Sequence, residues 1–226
     1  MGQKIMAYDF YWISGSTNVW RAMLTLEYKG IAYNSHRLDS SQKDQKKPEF
    51  LAMNPRGQVP VLKCGETLIH ESVAIMAFLE REQPEPALFG RTSAETGLVW
   101  QRIMEVVNYT RDPVEQGVVF PLFRGEADTH PDRLKAATIA AIDSVRWIEE
   151  LLERQEYLAG DLPTAADINA MPIIQMLARV GKRSDAIGLG LGLDDLASSH
   201  PGISAWLQRL EQLPGYEAAY PPHWRT

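Results

Sequence analysis

Short runs that mix apolar and polar residues fill the first third of the chain, and longer helical spacings fill the rest. Lys4 to Phe10 is one such short run, Ser14-Gly15-Ser16 follows, and Val19 to Lys29 then continues without Pro or Gly as far as Gly30. This order predicts a strand, a loop, a helix and a glycine stop. Ile31 to Leu38 predicts a second strand, and the charged stretch Asp39 to Lys47 with the short segment Pro48 to Met53 predicts loop with some helix. Val59-Pro60-Val61-Leu62 and Thr67-Leu68-Ile69 are β-rich runs separated by Cys64-Gly65-Glu66, which predicts a hairpin with a tight turn. Val73 to Glu80 is apolar at helical spacing and stops before Gln83-Pro84-Glu85-Pro86, where two prolines in a charged setting predict a linker.

Strand patterns end near Ala94. Trp100, Ile103, Met104 and Val107 stand at i, i+3, i+4 and i+7, which predicts a helix with that stripe buried. A second long helix is predicted from Thr129-His130-Pro131-Asp132, with a capping residue, an early proline and a first-turn acid, through Leu134, Ala141, Val145, Ile148 and Leu152. A third is predicted at Thr164-Ala165-Ala166-Asp167, where the Thr hydroxyl accepts an amide hydrogen and Asp167 stands in the place of the longer Glu or Gln of a capping box. Pro172 is expected to bend that helix, because it lacks an amide hydrogen and its ring crowds the preceding turn. Gly188 to Leu193 alternates Gly and Leu, but it follows no convincing strand and lacks the spacing of a dinucleotide loop.

Composition narrows the function classes. The 226 residues are 45% hydrophobic and 23% charged, enough for one sizeable core or two small ones, and this excludes disordered and fibrous chains. Lys and Arg number 23 against 29 Asp and Glu, a net charge of −6, which argues against a nucleic-acid or polybasic membrane surface. The single Cys64 excludes an internal disulfide, a CxxC redox pair and a Cys-rich zinc site, so a reducing, cytoplasmic setting and no metal are expected. No apolar run reaches the ~20 residues that span a bilayer, and Met1 to Met6 lacks the apolar core of a signal peptide. Gly2 invites a myristoylation reading, which fails because Met6 stands where Ser or Thr is required. No repeat or biased tract is found.

Three segments carry a family likeness. They are Asn54-Pro55-Arg56-Gly57-Gln58-Val59-Pro60-Val61-Leu62, then Glu71-Ser72-Val73-Ala74-Ile75, then Leu158-Ala159-Gly160-Asp161 with Thr164-Ala165-Ala166-Asp167. In this order, and with His200-Pro201-Gly202-Ile203-Ser204-Ala205-Trp206-Leu207 near the end, the chain resembles the soluble glutathione transferase superfamily. The resemblance implies an α/β thioredoxin-like N-terminal domain (βαβ-ββα) over residues 1–82, a linker over 83–93, and an all-α C-terminal domain over 94–226. It implies a cis bond before Pro60 that leaves the Val59 amide and carbonyl facing the ligand, so that an extended peptide, the cysteinyl part of glutathione, pairs with them. Ser72 at a helix start offers a hydroxyl and free amides to the γ-glutamyl carboxylate, and Glu71 suits the α-amino group of the same unit. Gln58 and Arg56 are candidates for the glycine end.

For the sulfur the candidates are Ser16, Thr17 and Asn18. Ser16 comes first, because it falls where the theta, delta and zeta classes carry their serine. Trp12, with Tyr11 beside it, stands where the tyrosine classes hold a phenol, and Asn18 stands where the cysteine classes hold a thiol, so neither of those chemistries is expected. Ser16-Thr17-Asn18 is also similar to the Thr-x-Asn pattern of the Nu class, which resembles disulfide reductases. The resemblance implies conjugation of the glutathione thiolate, as co-substrate, to a small and largely apolar electrophile, in detoxification, by a homodimer. The electrophile is expected between the domains against Trp12, Ile13, Met104, Asn108, Tyr109, Arg111 and Asp112, with His223 and Trp224 covering it. A glutathione-dependent disulfide reductase, a zeta-like isomerase and a non-catalytic binding module are the alternatives.

Overall fold

The computed structural model describes residues 8–225. The Lys4 to Ala7 part of the predicted first strand, the Met1 to Met6 segment and Thr226 lie outside the described residues. Of these, residues 8–86 together with 213–225 form one compact unit, and Ala87–Gln212 form another.

In the first unit, β1 is Tyr8–Trp12 and runs two residues past the predicted end. Helix α1, Thr17–Tyr28, starts two residues before its predicted start, because Ser16 is in extended conformation and caps it. Gly30 (φ +62) ends it, with Ile31 N–H donating to Leu26 C=O at 2.9 Å, the left-handed glycine stop the sequence predicts. Strand β2 (Tyr33–Arg37), α2 (Pro48–Met53), β3 (Val61–Cys64), β4 (Thr67–Ile69) and α3 (Ser72–Glu82) complete the unit's main elements. A single 3₁₀ turn, Asp44–Lys46, is the helix found within the charged stretch before α2. The sheet order is β2-β1-β3-β4, with β1 parallel to β2 and β3 antiparallel to both β1 and β4. This is the thioredoxin-like βαβ-ββα arrangement. Its core is Phe10, Leu24, Leu26, Leu62, Ile75, Met76 and Leu79, all fully buried. Lys29, also buried, pairs with Glu80 at 2.7 Å and donates to the carbonyls of Gln83 and Pro86 at 2.8 and 2.7 Å, which fixes the chain where it leaves α3.

The second unit is helical. Helix α4 (Ser93–Glu105) opens with a capping box in which Thr92 and Glu95 exchange hydrogen bonds, both 3.2 Å. Its buried stripe is Val99 and Ile103, continued by Val106 and Thr110 in the turn that follows, whereas Trp100 and Met104 are 37% and 44% exposed. The predicted stripe is therefore rotated by about one residue. Both stripes contain Ile103, and local spacing does not choose between them; the neighbours packed on Val99 and Val106 do. Wider π-helical turns at Val106–Thr110 and Glu115–Val119 alternate with the short helices α5 (Arg111–Val114) and α6 (Phe120–Phe123), and α7 (Glu126–Thr129) leads into α8 (Pro131–Leu152). The residue that caps α8 is His130, without a side-chain bond to the helix, and Thr129 instead bonds the His130 ring at 2.9 Å.

Helix α9 (Ala165–Gly181) begins with the expected box, and the short Asp167 does reach back: its Oδ2 accepts from the Thr164 amide and hydroxyl, both at 2.8 Å. Its Oδ1 accepts from the Leu158 amide at 2.8 Å and from Trp206 Nε1 at 2.9 Å. Burial pushes this carboxyl up and the four donors partly offset the rise. Pro172 lies within the continuous helix. The Gly188 to Leu193 stretch ends α10 (Ser184–Gly188) and turns toward α11 (Leu196–Ser199) and α12 (Pro201–Leu210), with no strand before it.

The chain ends in α13 (Tyr216–Ala219) and a 3₁₀ turn, Pro222–Trp224, which belong to the first unit. Tyr216, Tyr220 and Trp224 surround Trp20 of α1 with ring centroids 5.4–5.9 Å away. Gly215 (φ +82) allows this approach, since a Cβ there would lie 2.4 Å from the Glu27 Cβ.

Candidate functional site

Strand pairing gathers the candidate residues of the first unit at one end of its sheet. Tyr11 faces Val61 in the antiparallel register, so the turn after Trp12 leaves the sheet at the end where Val59 and Pro60 enter it. The Val59–Pro60 peptide bond is cis. Among the described residues, no hydrogen bond engages the Val59 amide or carbonyl. The approach to Val59 is fixed by buried Asn54, whose Nδ2 donates to Gln58 C=O at 2.7 Å and whose Oδ1 accepts from the Arg56 amide at 3.2 Å. Gly57 (φ +59) lies against the Gln45 carbonyl, 2.7 Å from where a Cβ would stand. Lys46 donates to Arg56 C=O at 3.0 Å, leaving the Gln58 and Arg56 side chains exposed. Neither the Asn54 bracket nor the Lys46 contact was read from the sequence, although Asn54-Pro55 was the available signal.

Glu71 rather than Ser72 is the cap of α3. It is one of two described non-glycine residues with positive φ (+66), a conformation that costs about 1–3 kcal/mol and is kept where the surroundings enforce it. Its side chain makes no capping bond, so the first-turn amides of α3 have no side-chain acceptor. Ser72, buried in that first turn, points its hydroxyl at Asn18 Oδ1, 3.5 Å away.

At α1, Ser16 Oγ accepts from the Val19 amide at a long 3.4 Å and is partly exposed, which leaves its own O–H to donate elsewhere. Thr17 is buried, and Asn18 is half-buried with its carbonyl toward Ser72. Trp12 is held inside the unit: its indole N–H donates to Ser35 Oγ at 2.8 Å, and Arg37 lies 5.5 Å over its ring. Tyr11 stacks on His36 with centroids 4.5 Å apart, and burial, aided by Asp9, raises its phenol. That position is poorly suited to activating a thiol. Ile13 and Ser14 line a cavity of about 410 Å3 with Arg37, Asp39 and His223, and Ser14 Oγ and His223 Nδ1 share a 2.7 Å hydrogen bond. Trp224 packs on Trp20 and is buried.

In the second unit, Met104, Asn108 and Tyr109 are exposed, as is Asp112, and Arg111 is half-buried, 3.5 Å from Asp112. Tyr109 borders a separate cavity of about 330 Å3 with Arg102, Glu105 and Trp147.

Family comparison decides the kinship. Residues 15–82 match the family model "Glutathione S-transferase, N-terminal domain", and residues 112–214 match "Glutathione S-transferase, C-terminal domain". The chain belongs to the glutathione S-transferase family. This glutathione transferase is 31% identical over 196 residues to glutathione S-transferase F10 of Arabidopsis thaliana, covering 84% of this chain and 86% of the relative. It is 28% identical over 219 residues to glutathione S-transferase A of Pleuronectes platessa, covering 94% and 91%. It is also 28% identical over 195 residues to maleylacetoacetate isomerase of Pseudomonas aeruginosa, covering 83% and 90%. The crystal structure of a glutathione S-transferase from the Antarctic clam Laternula elliptica superimposes on the transferase with a TM-score of 0.80 at 28% identity, over 97% of this chain and 94% of that one. No described helix is long and apolar enough to cross a membrane.

Proposed function

We propose that the protein conjugates the thiolate of glutathione to a small electrophile, with Ser16 as the residue that stabilises the sulfur. The observation that carries this reading is the Ser72–Asn18 contact, which joins the start of α3, where the Glu71 side chain makes no bond to the helix amides, to the first turn of α1. In this reading the γ-glutamyl carboxylate rests on the α3 amides and the Ser72 hydroxyl, where the helix dipole favours an anion. Glu71 takes the ammonium of the same unit, the Val59 amide and carbonyl pair with the cysteinyl unit, and Gln58 borders the glycine end. An extended tripeptide anchored at Ser72 and Val59 directs its sulfur toward Ser16.

A free thiol with pKa ~8.5 is about 3% ionised at pH 7, and a value of ~6.5 makes most of it thiolate. That shift needs about 2.7 kcal/mol of preferential stabilisation. A hydrogen bond to the charged sulfur contributes roughly 1.5–3 kcal/mol and the positive end of α1 roughly 0.3–2, so the Ser16 hydroxyl and the helix start suffice together. Asn18, the next candidate, holds Ser72 in place; Thr17 is the weaker one because it is buried. The thiol proton leaves to solvent, and the sulfur lone pair forms the C–S bond. The departing group takes the electrons of the broken bond, or in an addition the adduct carbanion is protonated. Catalysis is ionisation plus proximity.

The same reading has the protein acting in the cytoplasm as a homodimer in the detoxification of electrophiles, supported by its family and by the one, reduced cysteine. A second reading, isomerisation with glutathione as a cofactor, is favoured by the likeness to maleylacetoacetate isomerase. Calorimetric titration with glutathione, followed by assays with an aryl halide and with maleylacetoacetate, tests both. Saturable binding with aryl-halide turnover supports the first reading, turnover of maleylacetoacetate alone replaces it with the second, and absence of glutathione binding removes both.

A further inference from the structure

The cavity of the first unit carries a charge pattern that a purely apolar electrophile would not use. It lies between the turn that follows β1 and the end of β2, with the C-terminal segment closing one side. Ile13 and Leu38 give it apolar wall, Ser14 and Ser40 give hydroxyls, and Arg37 and His223 give two nitrogen-rich groups. Among the described residues Arg37 has no carboxylate within ion-pair distance; its guanidinium is held over the Trp12 ring at 5.5 Å. Its fork of donors is thus positioned and accessible to a planar anion. The acid in the lining, Asp39, keeps its charge, since the Ser41 hydroxyl and amide donate to its Oδ1 at 2.7 and 2.8 Å and hold its carboxyl below the usual range, so Arg37 is the group of this lining that an anion would pair with. His223 is fixed by its 2.7 Å bond to Ser14 and lies so close to Gly15 that a Cβ there would stand 2.8 Å from the imidazole. Gly15 is the residue before Ser16, so the His223 wall of the cavity packs on the loop that leads to Ser16.

We infer that this cavity receives a carboxylate carried by the electrophile, paired with Arg37 and hydrogen-bonded from the Ser14–His223 side, while Ile13 and Leu38 take the apolar body. The inference rests on the proposed placement of glutathione with its sulfur at Ser16, and it narrows the substrate class to acidic electrophiles.

The test uses two conjugates, S-(4-carboxy-2-nitrophenyl)glutathione and S-(2,4-dinitrophenyl)glutathione, with glutathione itself as a third titrant. Each is titrated calorimetrically into the wild-type chain, Arg37→Gln, Arg37→Lys and His223→Gln. A charge-assisted hydrogen bond lost on Arg37→Gln should reduce the preference for the carboxylated conjugate over the neutral one by about tenfold or more, with partial recovery in Arg37→Lys and a smaller loss in His223→Gln. Equal changes for both conjugates, no change for either, or failure of the carboxylated conjugate to bind while glutathione does, overturns this inference alone. Absence of saturable glutathione binding in the wild-type chain overturns the proposed function and this inference with it.

Discussion

Ser72 Oγ and Asn18 Oδ1 lie 3.5 Å apart although 54 positions separate them in the chain, so one hydroxyl ties the opening turn of α3 to that of α1. Ser72 has a single O–H, so in the proposed site that hydrogen turns from Asn18 to the glutathione carboxylate when the tripeptide binds. Ser72→Ala should weaken glutathione binding by about tenfold or more, the cost of a hydrogen bond to a charged group, and should leave the unfolding midpoint nearly unchanged because the Ser72 hydroxyl makes no cap and its bond to Asn18 is long at 3.5 Å. Titration calorimetry measures this, and an unaltered Kd would remove Ser72 from the site.

Ser16→Ala should act on ionisation more than on binding. The pH profile of turnover should move up by about 1–2 units toward the free thiol, with a large loss near pH 6.5 that closes at high pH. Loss of the cap should also cost about 1 kcal/mol of stability. If turnover is unaffected while Asn18→Ala abolishes it, the sulfur contact belongs to Asn18.

Asp167 accepts four hydrogen bonds from inside the helical unit. Asp167→Asn presents an amide to two of those donors in place of an acceptor, and leaving them unsatisfied should cost about 2–4 kcal/mol. Urea unfolding reads this directly, and a change below about 0.5 kcal/mol would show that the box contributes little to stability.

Asp9 on β1 accepts from His36 and Asn34 on β2, and the His36 bond, followed by the Asn34 bond, holds its carboxyl below the ordinary 3.8. A depressed carboxyl contributes stability that is complete above the unfolded-state value and is lost as pH falls through the lower folded-state value. Asp9→Asn should therefore be less stable than wild type by about 0.5–1 kcal/mol near pH 6, the partial exposure of the pair limiting the effect, and the gap should close as pH falls below the ordinary carboxylate range. Denaturation curves across that range check it, and a gap that widens in acid would reverse the assignment.

Local rules made much of this protein readable. Gly30 could end α1 because only glycine enters the left-handed region at little cost, and Thr164 with Asp167 could be read as a box because both partners are three residues apart. The motif around Val59–Pro60 and the pair Glu71-Ser72 marked the candidate site for the same reason: each is a contiguous stretch. Spacing misplaced the buried face of α4, predicting Trp100, Ile103 and Met104 where the structure buries Val99 and Ile103, because only the neighbouring elements decide which side is covered. The Ser72–Asn18 contact, the placement of His223 beside Ser14 and the hold of Trp12 by Ser35 were likewise invisible, since each joins residues from separate elements. The sequence by itself determined the elements, their caps and the family likeness, which depend on neighbours along the chain. Tertiary structure decided which side chains face one another, because burial and hydrogen bonding between distant segments are set only when the sheet and helices have packed.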